Sequence, residues 1–169
     1  MNSNPTESDP FVINGFRLPS GLVRRIQTGT WVAPVDKTKL QRLIEAQSPW
    51  PAGVEWLDQL VEDFTLYLPA LMKSESEGLY RWLEPKRNGD RVLFLGDRDE
   101  RIHPGFIEPG WVILIADFGL GSDTALALDY REDQAEPSVI LQYWGENPTT
   151  DNRWKKIADS FTEWERAIW

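Results

Sequence analysis

The feature that most constrains this chain is the spacing of its last three apolar runs. WVILIADF (111–118), TALALDY (124–130) and SVILQYW (138–144) are short and bounded by Gly, Pro, Asp or Asn clusters, as strands are. The linkers between them, GLGSD (119–123) and REDQAEP (131–137), hold five and seven residues. A parallel crossover needs roughly a dozen or more, whereas hairpins close within this length. The spacing therefore predicts a consecutive antiparallel meander. VLFL (92–95) has the same apolar, β-rich character and is assigned as the strand that precedes the three.

Upstream of Gly89 the period is helical. A first helix is expected after Pro19, with Ser20 as N-cap, Leu22, Val23 and Ile26 on one face and Gly29 just past its end. A second starts at Asp36, where Val35 and Leu40 make a hydrophobic-staple pattern and Leu43 and Ile44 continue the stripe. SPWPAG (48–53) breaks it. Leu57, Leu60, Val61, Phe64 and Leu68 then predict a third helix over 54–68, stopped by Pro69. The chain closes on an apolar stripe of Trp154, Ile157, Ala158, Phe161, Trp164 and Ile168, assigned to one amphipathic helix over 151–168. Helices first, a sheet in the middle and a helix last define an α+β domain. With 169 residues in all, residues 11–169 make one domain behind a polar, disordered leader, residues 1–10.

Composition removes several chemistries. There is no cysteine, which excludes disulfides, cysteine-ligated metals and thiol catalysis, and the single histidine excludes a three-histidine zinc site. The formal charge is −9, from 18 basic and 27 acidic side chains. That balance argues against binding a nucleic-acid backbone, which needs a basic face. No apolar run approaches the ~20 residues of a membrane span, and the leader lacks the basic and apolar regions of a signal peptide. The expectation is a soluble, cytoplasmic protein with no cofactor.

Four motifs imitate known chemistry. In residues 97–108, Asp97, Asp99 and Glu108 fall at positions 1, 3 and 12 of a calcium loop. Ile102 stands where that loop needs glycine and Arg101 where it needs a ligand, so a charged turn is expected. Asp117-Phe118-Gly119 matches a kinase magnesium motif without the rest of a kinase. Gly119 and Gly121 followed by Ser122 resemble half a nucleotide fingerprint, but a strand follows, not a helix. Asp117 and Asp129 are a tempting acid/base pair inside apolar strands. A five-residue hairpin loop, however, sets Asp117 opposite Ala125 and Asp129 opposite Ile113, about 13 Å apart along the sheet. They are expected to accept hydrogen bonds from turn backbone or an arginine. His103, before Pro104, is read as a solvated loop residue.

Nine tryptophans stand out. Trp56, Trp111, Trp154 and Trp164 fall on faces expected to be buried, whereas Trp31, Trp50, Trp82, Trp144 and Trp169 are not placed by pattern. Exposed tryptophan among acidic residues would mark a protein-binding patch, but core or semi-buried packing is the expected reading for each.

Several of these features occur together in one known family. An apolar strand ends in Ala116-Asp117-Phe118, a glycine turn follows at Gly119 and Gly121, and the next strand ends in Leu128-Asp129. After a variable link, Pro137 and Val139 open another strand, and IADSFTEWE (157–165) reads as a closing helix. Leu18-Pro19 leads into the first helix. From Gly110 onward this pattern resembles the SUKH superfamily, which contains bacterial toxin-immunity proteins and a fungal regulator of cell-wall assembly. The resemblance implies an antiparallel sheet backed by helices and protein binding without catalysis. It makes Asp117, Phe118, Gly119, Gly121, Asp123 and Asp129 candidate structural or partner-binding positions. The expected function is an immunity protein that neutralises a cognate toxin. A regulatory scaffold is the alternative within that class, and a small hydrolase using Asp117, Asp129 or His103 is the alternative outside it. The acidic turn residues Asp97, Asp99, Glu100, Asp123, Glu132, Asp133 and Glu136 suit a basic partner such as a nuclease toxin.

Overall fold

The computed structural model describes residues 9–34, 36–47, 49–50, 64–83, 88–118, 125–145, 147 and 150–169. A short hairpin opens it, β1 (Val12–Ile13) and β2 (Phe16–Arg17), joined by Asn14 and Gly15, both at positive φ. An Asn-Gly pair suits this two-residue turn because both central positions need that backbone conformation. Asp9 belongs to the same unit: its carboxylate accepts from the Phe11 amide at 2.9 Å and from Arg17 at 2.8 Å. The end of the expected leader is thus tied down, while residues 1–8 lie outside the described residues.

Helix α1 (Ser20–Gln27) starts after Pro19, and Gly29 follows its C-cap at φ +69, as its place in the sequence requires. Helix α2 (Lys37–Glu45) is capped by Asp36, whose side chain accepts from the Thr38 amide at 3.1 Å. It buries Leu40 and Ile44; Val35 lies outside the described residues. Of the helix expected over 54–68, residues 54–63 also lie outside, and the remainder is not helical. Thr65–Leu66 form β3, and Pro69 begins a helix, α3 (Pro69–Gly78), where the sequence pattern ended one. Proline is as well suited to the first helical position, where its missing N–H costs nothing, as it is to stopping a helix.

A 3₁₀ turn, Leu79–Leu83, leads on to α4 (Asn88–Leu95). VLFL (92–95) is therefore the end of a helix, correcting its assignment as a strand. The sheet supplies the reason. The Leu93 carbonyl accepts from Gln142 Nε2 at 2.7 Å and Asn152 Nδ2 at 3.1 Å, and the Phe94 carbonyl accepts from Trp154 Nε1 at 3.1 Å. Carbonyls at a helix end need partners, and polar side chains of the sheet provide them. Gly96, at φ +74, closes the helix where a Cβ would sit 2.4 Å from the Gly105 carbonyl oxygen.

The remaining elements are β4 (Pro104–Gly105), a 3₁₀ turn at Pro109–Trp111, β5 (Val112–Asp117), β6 (Ala125–Asp129), β7 (Ser138–Tyr143), β8 (Arg153–Ala158) and α5 (Phe161–Ile168). The described strands form a six-stranded sheet in the order β3-β5-β6-β7-β8-β4, antiparallel at every pairing. Strands β5, β6 and β7 are the consecutive meander that the linkers require. A bulge between Leu114 and Ala116 shifts the expected register: Asp117 opposes Ala125, but Asp129 opposes Val112, not Ile113.

The expected 151–168 helix is two elements. Arg153–Ala158 pairs with β7, and only Phe161–Ile168 is helical. A Ser-x-x-Glu cap divides them: Ser160 Oγ accepts from the Glu163 amide, and Glu163 Oε2 accepts from the amide of Asp159, one residue before the cap, each at 3.0 Å. Alternation along β8 sends Trp154 toward α4 and Lys155 toward the end of α2, so helices cover both faces of the sheet. This explains why Val112–Ala116 and Ala125–Asp129 are buried without interruption.

Trp154 and Trp164 are buried as expected, and so is Trp31, whose indole donates to the Tyr67 carbonyl at 2.8 Å. Trp111 is not: it is 37% exposed. Trp56 lies outside the described residues.

Candidate functional site

The family-motif positions do not gather in one place. Asp117, half-buried, ends β5 between Ala125 on β6 and Thr65 on β3. Phe118 is fully buried, its ring 5.1 Å from that of Phe64. Gly119, Gly121 and Asp123 lie outside the described residues. Asp129 stands at the opposite end of β6, where Oδ1 accepts from the Arg131 amide at 3.1 Å and Oδ2 from Arg131 Nη2 at 2.7 Å. The same Nη2 donates to the Phe106 carbonyl at 2.8 Å. This carboxylate, through one arginine, fixes the link after β6 to the loop before β5.

His103 is elsewhere, paired with Glu132 at 2.8 Å on an exposed surface. Among the described residues, the candidate hydrolase groups Asp117, Asp129 and His103 therefore stand on different elements.

Most of the described acidic turn residues are engaged within the chain. Asp97 accepts from the Arg98 amide at 2.8 Å, and Asp99 holds Arg101 through two contacts at 2.9 and 2.8 Å. Hydrogen bonding from Arg101 lowers the Asp99 carboxyl to about 2. Glu132 accepts from Lys156 at 2.8 Å, the main cause of its lowered pKa. Asp133 accepts from the Glu136 and Ala135 amides, which lower it in turn. Glu136 accepts from Thr162 at 2.9 Å. Among the described residues, no group of three or more His, Asp or Glu side chains is placed to hold a metal ion. No helix there is long and apolar enough to cross a membrane.

What the structure does assemble is a groove of about 800 Å³ between the 3₁₀ turn at Leu79–Leu83, helix α4 and the segment before β5. Leu83 and Trp111 line it, 44% and 37% exposed, with Val92 and Phe106 between them and Arg91 and Arg98 on its rim. Tyr80, 46% exposed, flanks it: a Cβ on Gly110 would stand 3.2 Å from its hydroxyl. Trp111 is braced from behind, its ring 5.4 Å from that of Phe16, which stacks on Tyr130 at 4.6 Å. A braced tryptophan loses little side-chain freedom on binding, which suits an interface anchor. The sequence carries this groove only faintly. Tyr80 and Leu83 sit in GLYRWLEP (78–85), a short apolar-aromatic stretch between charged neighbours that no motif singles out.

Comparison of the chain with protein-family models, curated proteins and solved structures finds no match.

Proposed function

We propose that this chain is a non-enzymatic protein-binding domain of the SUKH kind, an immunity protein that neutralises a cognate toxin. The observation that carries the reading is the groove, where Tyr80, Leu83 and the braced Trp111 expose large apolar surface in one place. The antiparallel order of β5, β6 and β7 supports the family resemblance that suggested it. The partner is a basic protein, drawn by the net charge of −9 rather than by the turns, whose carboxylates are mostly engaged within the chain.

The test is to express the products of genes adjacent to this one, alone and with this chain. One of them should arrest growth alone and be rescued by the chain. Changing Trp111→Ala and Leu83→Ala together should weaken binding to that product at least about tenfold, the loss expected of central anchors. Its association rate should fall as salt rises past ~0.15 M, where screening acts within about 8 Å. A bound product whose affinity is indifferent to Trp111 and Leu83 would displace the groove as the interface. The absence of any toxic neighbour would remove the immunity reading.

A further inference from the structure

A second cleft, separate from the groove and independent of the reading above, lies at the Tyr143 end of β7. Its volume is about 530 Å³, within the usual range of small-ligand sites. Trp50, Ile102 and Tyr143 line it together with the cations Arg101, Arg153 and Lys155 and the carboxylates Asp99 and Asp151. The Trp50 ring meets Tyr143 edge-on at 5.4 Å between centroids, and Lys155 Nζ lies 4.5 Å over the Trp50 ring.

The cleft has polar capacity that the described chain does not use. Tyr143 is only 1% exposed, and its hydroxyl has no hydrogen-bond partner among the described residues. Arg153 Nε, on the neighbouring strand, is buried and equally without one. A buried donor left unpaired costs about 1–3 kcal/mol, so two in one cleft call for an explanation.

The charges point the same way. Arg101 is neutralised by Asp99. Arg153 and Lys155 form no ion pair among the described residues. Arg153 Nη1 donates to the carbonyls of Thr150 and Asn152 at 3.0 and 2.8 Å, and Lys155 to those of Gln47 and Pro49. Asp151 spends its oxygens on the Asn147 amide and the Thr150 hydroxyl. The described lining therefore carries three cations, Arg101, Arg153 and Lys155, against two carboxylates, Asp99 and Asp151, a local excess of one positive charge in a chain of net charge −9.

We propose that this cleft binds an oxyanion, a carboxylate or phosphate group carried on a small organic ligand, with the Tyr143 hydroxyl and Arg153 Nε–H as donors. Both donors suit an oxygen acceptor, and hydrogen bonds to an ionised acceptor are the stronger ones. Burial pushes the Tyr143 phenol up to about 12, so it remains a donor throughout the neutral range. The volume exceeds a bare ion, and Trp50 and Ile102 offer apolar contact to the group that carries the charge.

The probes are benzoate and phenyl phosphate, with benzyl alcohol as the neutral control, titrated at constant ionic strength and followed by amide chemical shifts. Saturable shifts confined to residues 99–102, 143–145 and 151–155 are expected for at least one anion and not for the alcohol. Benzoate alone saturating identifies a carboxylate ligand, and phenyl phosphate alone a phosphate ligand. Tyr143→Phe should weaken that anion about tenfold, the worth of one charge-assisted hydrogen bond. It should leave the melting temperature equal or higher, because the hydroxyl it removes has no partner in the fold. Arg153→Lys, which keeps the charge but drops Nε, should weaken binding similarly. Linear shifts with both anions, equal binding of the alcohol, or a Tyr143→Phe variant that melts lower with unchanged affinity would each overturn the proposal.

Discussion

VLFL (92–95) and VILIA (112–116) are nearly the same sequence read by eye, yet one ends a helix and the other is a central strand. Their burial shows the difference. Residues 112–116 are all buried, because helices cover both faces of the sheet, whereas of 92–95 only Leu95 is buried and the rest are partly exposed. A short apolar run carries no period of its own and takes whichever form satisfies its backbone. At 112–116 the neighbouring strands complete the ladder. At 92–95 side chains from β7 and β8 meet the carbonyls of Leu93 and Phe94.

The largest test of this comparison removes a side chain from each run. Ile113→Ala leaves a cavity between two covered faces and is expected to cost about 3–4 kcal/mol. Val92→Ala, on the partly exposed side of α4, should cost about 1 kcal/mol or less. Chemical denaturation of the two variants measures both. Equal losses would mean that the two runs are equally buried and that the contrast is wrong.

Much of the sheet was legible because linker length is a hard constraint. Five and seven residues cannot make a crossover, whatever the side chains prefer. Asp36 and Gly29 were legible for a similar reason, each being tied to a backbone requirement at a helix end. The stripe at 154–168 misled because Trp154, Ile157 and Ala158 satisfy a helical period while the open edge of β7 offers a strand ladder. The Ser160…Glu163 cap was the local sign of the break, as Asn14-Gly15 was of the first hairpin. The groove and the cleft were not legible. Tyr80, Leu83 and Trp111, like Trp50, Tyr143 and Arg153, come together only through tertiary packing and carry no spacing rule. Asp117 and Asp129 were visible as polar residues in apolar strands, and their separation followed from the hairpin; the bulge that shifts Asp129 by one position did not.

A finer test addresses the carbonyls that make 92–95 a helix end. The Leu93 oxygen accepts from both Gln142 and Asn152. Replacing either donor leaves the other, so Gln142→Leu and Asn152→Leu should each cost about 1 kcal/mol. Together they strand the oxygen, and the double variant should lose more than the sum of the singles. An additive cycle would mean that this carbonyl finds another partner and that the sheet does not dictate the end of α4.

The smallest effect extends the comparison to the loop that follows α4, where pH is the probe. Asp99 is held by Arg101 and titrates at about 2 rather than its ordinary 3.8. A carboxyl whose folded value is lowered contributes stability above its unfolded value and loses that contribution as pH falls through its folded one. The Asp99 share is therefore complete above about pH 4 and gone near pH 2. Arg101 is 87% exposed, so the pair is well screened and its effect is a change of slope rather than a large offset. Asp99→Asn should lower the melting temperature slightly and evenly above about pH 4, with the two curves converging near pH 2, so that the variant falls less steeply between these limits. Since Asp99 also neutralises Arg101 beside Tyr143, the same variant should tighten the cleft's hold on its oxyanion. A variant with the parent's full acid slope would show that the Asp99–Arg101 pair adds nothing to the fold.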